Sequence, residues 1–278
     1  MRIVSIVSRL SLALIALLTL NSFVVDLAPL EPEPGASGVG DPYFPDLGNG
    51  GYDVQHYTID LDAVLQTNTI SGTVTIDAIA TQDLSRFNLD FAGLEIHELA
   101  VNNLPATYAR EGRELIITPA RPLMTDEPFE VAVRYSGTPG KGVDIDLTPY
   151  GKGWSLYDGG VYVASEPGGA SLWYPVNDHP TDKATYTLMI TVAKPFSVAA
   201  NGILTDVIDH GDTRTFVWQA DDAYASYLVT VNIAQFERFT DTTDQDIPLR
   251  YYVPADQLQA AQALFADVPE MLAFFGSL

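Results

Sequence analysis

Glu166 has the neighbours of a residue that could do chemistry. It follows the strand-like run Val161-Tyr-Val-Ala-Ser165 and enters a Pro-Gly-Gly turn, which puts a carboxylate at a sheet edge where a ligand's ammonium group can reach it. Tyr162 and Ser165 are candidates to line the same edge. Taken by itself, Glu166 reads more simply as a solvated acid. The four histidines, His56, His97, His179 and His210, are nowhere three or four residues apart. His97-Glu98-Leu-Ala-Val101 begins like H-E-x-x-H but ends in valine and alternates like a strand. A two-imidazole metal site needs both rings on one helical face. His56 among strand residues and His210 on a turn suit edge or surface positions. In Asn177-Asp178-His179 an acid precedes a possible base, but sequence neighbours rarely orient one another, so a structural role is the better reading. No serine sits in G-x-S-x-G, and the lack of cysteine removes thiol catalysis, disulfides and a lipoprotein anchor. Gly159-Gly160 and Gly168-Gly169 lack the strand, spacing and lysine of a phosphate loop and read as turns.

The elements that must position these residues are strands. Tyr57, Ile59 and Leu61 alternate with Thr58, Asp60 and Asp62, and Val74, Ile76 and Ala78 alternate with Thr73, Thr75 and Asp77. Phe87-Leu89-Phe91, Phe129-Val131-Val133-Tyr135 and Tyr186-Leu188-Ile190-Val192 repeat the period of two, which predicts half-buried antiparallel strands. Asn102-Asn103, Glu111-Gly112 and His210-Gly211-Asp212 supply turn chemistry between them. The expectation is a mainly β fold, an antiparallel sandwich or saddle over residues 50–245. After Ile247-Pro-Leu-Arg-Tyr-Tyr-Val253 the period lengthens, and residues 246–278 are expected to open a helical region. Leu258, Ala261, Leu264 and Phe265 fall at helical spacing, and Asp267-Val-Pro-Glu270 carries the signals of a second helix start.

Residues 1–25 combine Arg2 and Arg9 with the apolar run Leu10–Leu20, the pattern of an export signal or, with no clean cleavage site near Asn21-Ser22-Phe23, of an uncleaved signal anchor. Residues 26–49, rich in Pro, Gly and acids, read as a tether. The 278 residues and 47% hydrophobic content allow a substantial core, and the net charge of −22 repels nucleic acid and anionic membranes.

Several segments, specific in combination and order, carry a resemblance: Phe44-Pro-Asp-Leu-Gly-Asn-Gly-Gly-Tyr-Asp-Val-Gln-His-Tyr57, Ile70-Ser-Gly-Thr-Val74, Leu89-Asp-Phe-Ala-Gly-Leu94, Trp173-Tyr-Pro-Val-Asn-Asp-His-Pro-Thr-Asp-Lys-Ala184 and Val198-Ala-Ala-Asn-Gly202. Through them the chain resembles the amino-terminal part of the aminopeptidase N family of zinc metallopeptidases. In that family a β saddle precedes a thermolysin-like catalytic domain, so the resemblance implies that residues 246–278 are the first helices of such a domain. It also implies that Glu166, nine residues before Pro175, holds the position whose Gln or Glu binds the substrate's free α-amino group. The family's G-x-M-E-N strand, its H-E-x-x-H and the further zinc-ligand glutamate and tyrosine are not in this sequence. The expectation is therefore a substrate-binding module with no cofactor of its own, inactive alone, with zinc and a peptide substrate belonging to a full-length parent. A separate catalytic chain, or a free-standing secreted sandwich that binds without catalysis, are the alternative readings.

Overall fold

The alternating apolar residues become the buried faces of strands. In the computed structural model, which describes residues 31–143 and 153–278, an eight-stranded sheet runs in the order Ile203–Asp209, Thr213–Ala225, Lys183–Ala193, Tyr52–Val64, Thr69–Ala80, Pro128–Gly137, Glu95–Val101, Leu104–Pro105. Tyr57, Ile59 and Leu61 are buried on its inner face, as are Val74 and Ile76, Val131 and Val133, and Leu188 and Ile190. Asn102 and Asn103 take the left-handed conformation, with φ of 50° and 60°, in the turn after Glu95–Val101. The export-signal pattern lies outside the described residues.

Two four-stranded sheets cover the inner face. One contains Glu33–Pro34, Leu84–Asp90, Glu114–Thr118 and Thr107–Glu111; the other contains Gly153–Tyr157, Gly160–Ala164, Val231–Ala234 and Ser197–Ala200. Aromatic rings stitch the layers together. Phe87 of the first small sheet packs against Tyr52 and Phe129 of the large one, at centroid distances of 5.6 and 5.3 Å. Burial of such rings contributes beyond area when they meet edge to face.

Two features differ from the sequence-based expectation. Lys183–Ala193 runs parallel to Tyr52–Val64, with Tyr186 opposite Tyr57 and their rings stacked at 5.1 Å. Alternation reports a half-buried strand and carries no direction, so the expected antiparallel arrangement holds for most pairs but neither for this one nor for Glu33–Pro34 beside Leu84–Asp90. Part of the segment expected to be a tether is also packed. Glu33–Pro34 pairs with Leu84–Asp90, Leu47 is buried, and the Gly48 and Asn49 amides donate to Asp90 Oδ2 (3.2 Å) and Asn177 Oδ1 (2.6 Å). A Pro/Gly-rich composition disfavours regular helix or sheet, yet an irregular path is stable once its amides find acceptors.

A hairpin of Phe236–Thr242 and Pro248–Pro254 crosses the boundary expected at residue 246. Helices Leu258–Leu264 and Val268–Gly276 follow, and Phe265 stacks on Tyr251 at 5.1 Å. Among the described residues no helix is long and apolar enough to cross a membrane.

Candidate functional site

The strand Gly160–Ala164 ends where Ser165 and Glu166 begin a turn, and that turn forms one wall of a groove of about 640 Å³. The other walls are Phe44, from the amino-terminal strap, and Tyr227–Thr230, from the loop after Thr213–Ala225. Glu166 is exposed here and forms no ion pair among the described residues. Ser165 lines the same groove but is buried, and its Oγ has no hydrogen-bond partner among the described residues. The groove is mostly apolar, with Val163, Ala164, Pro167, Leu228 and Val229 in its lining, and one carboxylate at its edge.

The groove's three walls share one anchor, a knot of buried polar side chains behind them. Asp178 lies at its centre: Oδ1 accepts from Ser226 Oγ (2.8 Å), beside the Tyr227–Thr230 wall, and Oδ2 accepts from the Ser171 amide (3.2 Å), beyond the Glu166 turn. Its own amide donates to Asp90 Oδ2 (2.9 Å), the oxygen that also receives Gly48 of the strap. Arg113 Nη2 lies 3.6 Å from Asp178 and 3.9 Å from Asp90, and donates to Gly168 O and Ser171 Oγ. Asn177 completes the knot. Its amide donates to Tyr57 OH (3.0 Å), its Oδ1 accepts from Asn49 N, and its Nδ2 donates to Asn49 O and to Asp182.

Enclosing several carboxylates around one guanidinium has an electrostatic consequence. Burial, followed by the neighbouring Asp178, pushes the Asp90 carboxyl up to about 8, and burial likewise raises Asp178. Glu114 rises to about 7 and Asp182 to about 6, in each case first because of burial.

The histidines are dispersed, each on its own hydroxyl partner. His56 meets Thr185 and Thr187, His97 meets Ser136, and His210 meets Thr215. His179 Nδ1 meets Thr181 Oγ1, while its Nε2 meets Asp41 Oδ2 at 3.1 Å. Asp178 and His179 thus face different partners. Among the described residues no group of three or more His, Asp or Glu could hold a metal ion, so these side chains do not fit a zinc centre.

Tyr162 is not brought to Glu166. It lines a neighbouring groove with Tyr157, Phe236 and Tyr252, its ring 6.1 Å from that of Tyr157. Tyr162 points off the strand, whereas Glu166 lies beyond its end in the turn, and four residues of extended chain would span about 13 Å. Reading the sequence missed Phe44 and Tyr227–Thr230, which reach the groove from distant segments. Phe44 did have a signal, since the first of the resembling segments begins there, inside the supposed tether.

Comparison with known proteins adds the context. Residues 53–228 match the peptidase M1 N-terminal domain. The chain is similar to the glutamyl aminopeptidases of Bitis rhinoceros (23% identical, covering 76% of this chain and 22% of the relative) and Sus scrofa (25%, 74% and 23%). It is also similar to the crystal structure of the M1 zinc metallopeptidase from Deinococcus radiodurans, with a TM-score of 0.71 and 31% identity over 78% of this chain and 52% of that one. It spans less than a quarter of the length of the two aminopeptidases and about half that of the solved structure. The β architecture, the order of the resembling segments and a match covering most of the large sheet agree, and the chain belongs to the family of peptidase M1 N-terminal domains.

Proposed function

We propose that this chain is the substrate-binding module of an exported zinc metalloaminopeptidase, in which Glu166 receives the free α-amino group of a peptide. One observation carries the reading: an exposed carboxylate without an ion-pair partner among the described residues stands at the edge of an apolar groove of about 640 Å³. A carboxylate so placed pairs with an ammonium group, and the groove walls receive the residue that bears it. Restricting the ammonium to this edge would confine cleavage to the first peptide bond. A mutant of the Deinococcus radiodurans enzyme bound to a Tyr-Ser-Ala substrate supports a peptide as the ligand class.

In this reading the zinc ion and the water it activates belong to catalytic segments outside the residues described here. When bound, zinc would polarise the scissile carbonyl, and the present residues would only bind and orient the peptide. The chain alone is expected not to hydrolyse aminoacyl anilides. Export rests on Arg2, Arg9 and the apolar run that follows.

The anchor is tested by titrating the chain with a tripeptide amide and its N-acetylated form, followed by NMR chemical shifts. The free-amine form should bind and the acetylated form should bind at least about tenfold more weakly, the loss of one charge-assisted contact. Glu166→Ala should erase that difference. Equal binding of both forms to the native chain would overturn the anchor, and turnover by the isolated chain would overturn the division of labour.

A further inference from the structure

We infer that Phe44 and Leu228 form an apolar subsite beside Glu166 that selects peptides with a large apolar first side chain and disfavours acidic ones. The inference rests on the reading of Glu166 as the amine anchor and adds a specificity to it. Among the described residues the groove's lining contains no lysine, arginine or histidine, so an acidic first side chain would find no counter-charge from them and would lie near the Glu166 carboxylate. An apolar side chain would instead be covered by Phe44, Leu228, Val163 and Pro167. Leu228 is 48% exposed, so a ligand has apolar area to cover.

Phe44 is fixed in place rather than trailing on a loose strap. Asp41 Oδ1 accepts from the amides of Tyr43 (2.7 Å) and Phe44 (3.4 Å), and Asp41 Oδ2 meets the buried His179 ring. On the other side the Leu47 amide donates to Phe44 O at 3.2 Å, and Leu47 is buried. Asp41 and His179 are therefore positioning residues for the Phe44 wall. A wall held from both sides loses little freedom when a ligand arrives, which favours discrimination by shape.

The test uses the full chain and three free-amine probes: leucyl-, glycyl- and glutamyl-glycylglycine amide. The native chain should bind them in that order. Phe44→Ala should reduce the leucyl-over-glycyl ratio about fivefold, the loss of one apolar contact surface. The same variant should leave the preference for free over acetylated amine intact. Leu228→Ala should act in the same direction, Phe44→Leu should keep most of the ratio, and Asp41→Ala should lower it without removing any apolar lining. Glu166→Ala should abolish the amine preference yet retain leucyl over glycyl. If neither Phe44→Ala nor Leu228→Ala moves the ratio while Glu166→Ala abolishes the amine preference, the subsite is wrong and the anchor stands. If the glutamyl probe binds tightest to the native chain, the specificity is overturned. If only Glu166→Ala is without effect, the anchor falls and the apolar subsite stands.

Discussion

The Asn177–His179 turn and the Glu166 rim come from the same stretch of sequence and obey opposite rules. At the turn, polar side chains are fully enclosed and every one has assigned partners: Asp178 with Ser171, Ser226 and Arg113, Asn177 with Tyr57, Asn49 and Asp182, His179 with Asp41 and Thr181. At the rim, the carboxylate is exposed, without an ion-pair partner among the described residues, and flanked by apolar walls. The first region stabilises; the second is free to bind. The more elaborate group of polar residues is therefore the scaffold, and the simpler one is the candidate for chemistry. Burial makes polar residues depend on particular partners, whereas a binding residue needs an open valence.

Breaking the knot should produce the largest effect. Arg113→Met leaves Asp90 and Asp178 enclosed without their shared cation, and should cost about 3–5 kcal/mol in urea denaturation above about pH 8, where the Asp90 carboxyl is ionised. The penalty should shrink as the pH falls below that value and those carboxyls take up protons. The native chain should show a related pH dependence. Asp90, Glu114 and Asp182 have raised carboxyls, so the folded chain holds more protons than the unfolded one between about pH 4 and pH 8. Their contribution to stability is fully present below the unfolded value and is lost as pH rises through about 6 to 8. The thermal midpoint should fall from pH 5 to pH 8, and Asp90→Asn should flatten the slope. A midpoint that rose over this window would remove the electrostatic account of the knot.

Smaller changes sharpen the contrast. Tyr57→Phe takes away the acceptor of the Asn177 amide and should cost about 1–3 kcal/mol by the same denaturation, although the ring stays in place. Gly48→Ala should destabilise by about 1–3 kcal/mol, because φ is +69° there and an added Cβ would lie 2.4 Å from His179 Cβ. Glu166→Ala should change stability by no more than about 0.5 kcal/mol while altering peptide binding. A large stability loss at Glu166 would place it in the scaffold and erase the distinction between the two regions.

Much of the sheet was legible in the sequence. Tyr57, Ile59 and Leu61, or Val131, Val133 and Tyr135, point inward because each strand alternates, and alternation is a local property that no distant residue needs to confirm. Asn102-Asn103 announced its turn for the same reason. The candidate site was less legible. Glu166 stood out through a family resemblance more than through its own chemistry, and Tyr162 was grouped with it on proximity in sequence that strand geometry does not translate into contact.

The sequence by itself determined that this protein is built from half-buried strands, with a carboxylate at the end of one of them, because strand period and turn residues act over a few neighbours. Tertiary structure alone decided that Tyr52–Val64 lies parallel to Lys183–Ala193, that the Pro/Gly-rich strap is pinned through Gly48 and Asn49, and that Phe44 and Leu228 line one groove with Glu166. Those pairings join residues more than forty, and up to about 180, positions apart. No local pattern encodes them; they follow from which buried polar groups and apolar faces can satisfy one another at once.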